Sequence, residues 1–209
     1  MRRPKFQRRA EDRPREICAA ALDVFAEKGF AAARLDEIAK RAGVSKGTLY
    51  LYFEDKEQLF RAVVRDTVAP NIEAVKEAVA AADLPFKEMV RMFLARFAHV
   101  AATTPVGAVA KMVIGESRNF PELAKVWHDQ VAGPAIAMIS GLIERAQDSG
   151  DVRPGDPRLH AFTLMGPMLM GVIYRETLQP VGGAPLDIET LARQHAETVL
   201  TGLLVERAK

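Results

Sequence analysis

Apolar residues recur every three or four positions along almost the whole chain, and no apolar–polar alternation persists beyond a few residues. This period predicts an all-α fold of about nine helices. The first runs over about 14–28. Pro14 suits its first turn, and Ile17, Ala20, Ala21, Val24 and Phe25 form its buried stripe. Gly29 stops it, and Phe30 returns to the core. Two short helices follow, about 35–42 and 46–51. Leu35, Ile38, Ala39 and Ala42 make one apolar face, Gly43 ends the first helix, and Val44 plugs the turn. Ser45 is a good N-cap for the second. Leu49 and Phe53, four apart, pack back, while Lys46, Gly47, Thr48 and Tyr50 face outward. An αα corner with a Gly in its turn and a polar second helix is a helix-turn-helix signature.

The remaining helices are longer. One starts near Asp55 or Lys56 and reaches toward 81, with Pro70 expected to kink it. Others are expected over about 85–101 and 106–117. A longer one, capped by Asn119 with Pro121 in its first turn, runs toward 149 and kinks at Gly133-Pro134. Asp156-Pro157 opens a helix of about 157–178 that Gly166-Pro167 should interrupt. The last, about 186–206, is amphipathic through Ile188, Leu191, Ala192, His195, Val199 and Leu203. The chain divides into a domain at 11–71, with its motif at 34–53, and a helical body at 72–209.

Composition narrows the function class. The 209 residues are 49% hydrophobic and 27% charged, ordinary for a globular protein. Cys18 is the single cysteine, so no intrachain disulfide forms and a reducing, cytoplasmic setting is expected. No apolar run approaches the ~20 residues of a membrane span, so no membrane partner is expected. Residues 1–56 carry 13 Lys and Arg against 9 Asp and Glu, and the rest carry 16 against 18. A basic N-terminal portion on a slightly acidic body fits one nucleic-acid-facing end. The basic stretch at residues 1–13 is expected to be disordered without DNA. His99, His128, His160 and His195 are widely separated with no i, i+4 pair, so no metal site is expected. There is no GxSxG, P-loop or dinucleotide fingerprint, and neither catalytic residues nor cofactors are assigned.

The run Ile38-Ala39, Ala42-Gly43-Val44-Ser45-Lys46-Gly47-Thr48-Leu49-Tyr50, Tyr52-Phe53, with Gly29-Phe30 before it and Lys56 and Leu59 after, resembles the DNA-binding domain of the TetR family of transcriptional regulators. The resemblance implies three N-terminal helices for double-stranded DNA, then about six for ligand binding and dimerisation. It places Ser45, Lys46, Thr48, Tyr50, Tyr52 and Lys56 where family members touch DNA. Gly47 would let the backbone approach closely. One departure stands out: Arg34 occupies a position where the family usually has a Thr or Ser that caps the first motif helix and binds phosphate. Arg34 is either a charged donor to phosphate or base, or simply exposed, and Arg41 is open to the same two readings.

By the same resemblance the chain is a ligand-responsive homodimeric repressor, released from a palindromic operator by a small, largely apolar effector. The alternative is a DNA-binding regulator whose body answers to a protein or to nothing. Candidate effector-binding residues are Met89, Phe93, Phe97, Met112, Glu116, Trp127, Met138, Phe162 and Met165, though each is individually also a plain core candidate. Phe162, Leu169, Ile173, Leu191, His195, Val199 and Leu203 are candidates for a dimer interface made by the last two helices.

Overall fold

The computed structural model describes residues 5–205 apart from 72, 75, 76 and 78–83; the side chains of 5–11 are likewise outside the description. All named elements among the described residues are helical: α1 (Lys5–Ala32), α2 (Leu35–Arg41), α3 (Lys46–Tyr50), α4 (Lys56–Val63), α5 (Phe86–Thr103), α6 (Val106–Glu116), α7 (Pro121–Trp127), α8 (Gly133–Asp148), α9 (Pro157–Thr177) and α10 (Ile188–Leu203). The chain forms two compact units. The first comprises 1–70 and 108–131, the second 71–107 and 132–209. These units differ from the expected division at 71/72 over 108–131, whose helices pack with the N-terminal ones.

In the first unit, Ile17, Cys18, Ala21, Val24 and Phe25 of α1 are fully buried. They meet Leu59, Phe60 and Val63 of α4, buried likewise. Phe25, Phe30 and Phe60 form a ring cluster with centroids 5.6 to 5.9 Å apart, and Phe120 closes on Phe30 at 5.1 Å. Burying one such side chain contributes about 1.5–3 kcal/mol. The Cys18 thiol sits in this core, where burial pushes its pKa up to about 12, assisted by nearby Asp66 and opposed by Arg65. Helical geometry in α1 is interrupted at Gly29 (φ 77°, ψ 172°), a left-handed backbone that L side chains rarely adopt. That break turns Phe30 inward.

Several boundaries differ from the sequence expectation. Helix α1 begins at Lys5 and carries Pro14 inside it, so the expected disorder of 1–13 does not hold from Lys5 onward; Arg2 and Arg3 lie outside the described residues. After α4 the helix widens into a π-turn at Val64–Val68. It precedes Pro70, and within it Thr67 donates its hydroxyl to the Val63 carbonyl. The expected course toward 81 runs into residues outside the description. The N-cap of α7 is Phe120, with no side-chain bond, instead of Asn119. A π-turn at His128–Ala132 realises the break expected near Gly133-Pro134. Helix α9 runs unbroken through Pro167. Gly166, Pro167 and Thr163 are all exposed, so the carbonyl that the proline deprives faces outward and the helix continues.

The second unit has a mainly aliphatic core. Val90, Phe93, Leu94 and Ala98 of α5 meet Ile139 and Ile143 of α8, Leu164 and Met168 of α9, and Ala192, Ala196, Leu200 and Leu203 of α10. Gly171 makes the α9–α10 approach possible, since a Cβ there would stand 2.6 Å from Leu191 and 2.8 Å from Ile188. Asp156 and Asp187 cap α9 and α10 through their carboxylates. Arg91 forks across to Glu197 at 2.8 and 3.0 Å.

Leu94 is fully buried and Leu51 is 82% exposed. Leu94→Ala should cost about 2–5 kcal/mol, while Leu51→Ala should stay within about 0.5 kcal/mol of the parent. Urea denaturation followed by circular dichroism measures both.

Candidate nucleic-acid interface

The motif is assembled from short-range bonds. Helix α2 ends as the Ala42 and Val44 amides donate to the Ile38 and Ala39 carbonyls, both at 2.9 Å, and Gly43 takes φ 66°. Ser45 then stands extended. Its Oγ accepts the Thr48 N–H at 3.0 Å and lies 2.8 Å from the Thr48 hydroxyl. These bonds start α3, a helix of five residues. Leu49 is fully buried and Phe53 nearly so, which seats α3 on the rest of the unit.

Seating Leu49 inward turns Ser45, Lys46, Gly47 and Tyr50 out to solvent, with Thr48 half-buried at the edge. Tyr50 and Tyr52 are 44% and 37% exposed. A shallow groove beside them is lined by Ala33, Arg34, Leu35, Asp36, Lys46, Tyr50 and Lys56. The Lys46 ammonium lies 2.8 Å from the Asp36 carboxylate and 5.9 Å over the Tyr50 ring. Its hydrogen bond to Asp36 holds its pKa above the ordinary lysine value. Asp36 is the partner that sequence reading missed. Its only signal was its place in the first turn of α2, where a carboxylate also complements the helix dipole.

Arg34 is exposed and stands at the N-cap of α2 with extended backbone and no side-chain cap bond. Arg41 and Lys56 are engaged within the chain. Arg41 forks onto Glu27 of α1 at 2.6 and 2.8 Å, which holds the Glu27 carboxyl below its usual range and braces α2 against α1. The Lys56 ammonium donates to the carbonyls of Phe30, Ala31 and Ala33 at 2.5, 3.1 and 3.1 Å, and lies 4.6 Å from the Phe30 ring centroid. Partial burial lowers its pKa, and the Glu116 carboxylate opposes that shift.

The nine expected effector-binding residues are divided between the two units. Met112, Glu116 and Trp127 belong to the first unit; Met89, Phe93, Phe97, Met138 and Met165 join the core of the second. Phe162 is 49% exposed, with the Arg158 guanidinium 5.8 Å from its ring. Both carboxylate oxygens of Glu116 accept backbone amides, from Phe30 at 2.8 Å and Ala31 at 2.7 Å. Of the expected interface residues, Phe162 and Leu169 are exposed, and Ile173, Leu191 and His195 are half-buried. The His195 ring lies 2.9 Å from the Leu164 carbonyl. Val199 and Leu203 are buried in their own unit's core. Among the described residues no group of His, Cys, Asp and Glu could hold a metal ion, and no single helix is long and apolar enough to cross a membrane.

Residues 17–63 match the sequence profile of "Bacterial regulatory proteins, tetR family", and residues 87–187 that of a "Tetracyclin repressor-like, C-terminal domain". The HTH-type transcriptional regulator RutR of Escherichia coli K12 is 28% identical, covering 93% of this chain and 90% of that protein. A TetR-family regulator of Mesorhizobium loti superposes with a TM-score of 0.71 at 26% identity, covering 94% of this chain and 99% of the other. The regulator FadR of Bacillus subtilis, solved with stearoyl-CoA, superposes at 0.74 with 23% identity, over 90% and 97%.

The uncapped start of α2 generates a stability prediction. Arg34→Ser supplies a cap hydroxyl three residues before Glu37, completing a capping box. It should stabilise the protein by about 0.5–2 kcal/mol, read as a higher thermal midpoint.

Proposed function

Since the chain belongs to the TetR family of transcriptional regulators, we propose that it is a sequence-specific, homodimeric DNA-binding repressor, released from a partly palindromic operator by a small, largely apolar effector. The observation that carries the reading is α3, seated by Leu49 with Ser45, Lys46, Gly47 and Tyr50 turned to solvent. A helix presented in this way enters a major groove by its N-terminal residues. Lys46 and Thr48 then serve bases or phosphates, Tyr50 and Tyr52 donate phenolic hydrogens to phosphates, and Gly47 lets the backbone approach. Arg34 adds a charged donor at the groove's rim. One five-residue helix reads too few bases for useful discrimination, so two copies on two half-sites are required.

An apolar stripe supports the dimer. Leu159, Phe162, Leu169 and Met170 of α9 are 43% to 63% exposed, and Gly166 interrupts them with a surface low enough for close approach. Leu191 of α10, mostly covered, adds a small further apolar area. For the effector, Met89, Phe97, Met138 and Met165 lie partly buried at the margin of the second unit's core. Flexible thioethers there can re-pack around an apolar guest. The stearoyl-CoA held by the FadR homologue favours this chemistry. A ligand releases DNA by binding more tightly to the state whose recognition helices no longer match the operator spacing.

Fluorescence anisotropy on the chain's own upstream region against random duplex tests the DNA reading. Operator affinity should exceed random affinity and fall linearly with log salt, and Lys46→Ala should weaken it about tenfold or more. Equal, salt-insensitive binding to both duplexes would sink the proposal. In sedimentation at micromolar concentration the parent should run as a dimer and Phe162→Glu as a monomer; a monomeric parent removes the two-half-site mechanism.

A further inference from the structure

The turn between α1 and α2 has its backbone polar groups held from two sides by opposite charges. From one side the Glu116 carboxylate takes the Phe30 and Ala31 amides, at 2.8 and 2.7 Å. From the other the Lys56 ammonium takes the carbonyls of Phe30, Ala31 and Ala33. Gly29 makes room for the carboxylate, because a Cβ on it would stand 2.4 Å from Glu116 Oε1, and its φ of 77° independently disfavours a side chain. Phe120, four residues beyond Glu116, lies against Phe30 at 5.1 Å and fixes the same approach. The next residue after these carbonyls is Arg34, whose own carbonyl accepts the Glu37 and Ile38 amides and so starts α2.

We infer that Glu116 is a positioning residue of the DNA-reading unit: with Lys56 it clasps the α1–α2 turn and so sets the entry of α2 and the placement of Arg34 and α3 on the operator. The inference rests on the proposed regulator reading and deepens it. Glu116 belongs to α6, outside the 11–71 segment that carries the motif, so the reading unit is complete only with residues 108–131. A carboxylate is the chemistry required, since two convergent N–H donors need two acceptor oxygens. Withdrawing it leaves both amides without their partner and the ammonium without its counter-charge, a costly state at a half-buried site. The turn then relaxes. Lys56, by the same geometry, is the other half of the clasp, its ammonium donating to three carbonyls of the turn.

The test uses the full chain with Glu116→Gln, which keeps size but offers one acceptor to two donors. Operator affinity should fall about tenfold, as for one misplaced contact. Random-duplex affinity and the salt slope should hold, because no phosphate contact is lost. Hydrogen exchange at the Phe30 and Ala31 amides should quicken about tenfold or more by local opening, with Leu59 unchanged. Unchanged operator affinity, equal loss on both duplexes, or faster exchange throughout the first unit overturns the clasp. The exchange measurement needs no DNA. A parent without operator preference therefore overturns only the regulator reading, and unchanged exchange at Phe30 and Ala31 overturns only the clasp. Should Glu116→Gln not fold, Lys56→Gln decides: faster exchange at the Phe30 and Ala31 amides with Leu59 unchanged supports the clasp, and unchanged exchange at those amides overturns it.

Discussion

Helix α3 has five residues, whereas an isolated helix needs about 12–15 to be even marginally stable in water. Its shape and direction must therefore come from what surrounds it. The Ser45 hydroxyl satisfies an N–H at its start, and Leu49 and Phe53 fix its rotation by burial. Helix α2, only seven residues long, is itself held from outside, by Arg41 on Glu27 and by Lys28 on Glu37 at 2.8 Å. The short helices inherit their order from α1 and α4, whose phenylalanine cluster is the part of the first unit dense enough to supply it.

The two units solve the packing problem differently. In the second, aliphatic side chains interdigitate and small residues set the helix spacing: Gly171 beneath Leu191 and Ile188, and Ala192 and Ala196 along α10. In the first, the sharp return at Gly29 brings peptide groups to the edge of an aromatic core. No charged residue among those described is fully buried there; the charges of Lys56 and Glu116 reach in from half-exposed positions to satisfy backbone groups. Such charge-assisted bonds are stronger than neutral ones and fix direction. They suit a turn whose orientation matters more than its bulk.

Local spacing made the motif legible. Leu49 and Phe53 are four apart, Ser45 stands three before the amide it accepts, and Gly43 marks the αL stop, so each feature is visible within one turn of chain. Partners distant in sequence were invisible: Glu116 meets an amide 86 positions away and Lys56 a carbonyl 26 away. Amphipathic pattern shows that a face is buried but not against what. Val199 and Leu203 therefore read as dimer surface, and they lie in their own unit's core. Pro167 read as a break because the effect of a proline depends on whether the carbonyl it deprives faces solvent, which its neighbours in sequence do not show. Asn119 was a reasonable cap by composition, but the helix begins one residue later.

The ion pair between Lys46 and Asp36 bears on how such a surface discriminates. Both side chains are half or more exposed, so the pair adds little to stability and separates easily. On the proposed reading, approach of a duplex would offer Lys46 a phosphate or base acceptor in exchange for Asp36, and would leave Asp36 facing a polyanion. Any misaligned complex keeps that repulsion without a compensating contact, whereas an aligned one recovers it through α3. A carboxylate at the rim of a basic reading helix thus penalises non-specific binding more than specific binding, which widens the ratio that decides occupancy in a genome. On the same reading Arg34, two residues from Asp36 and without a side-chain cap bond, would add positive charge to that rim.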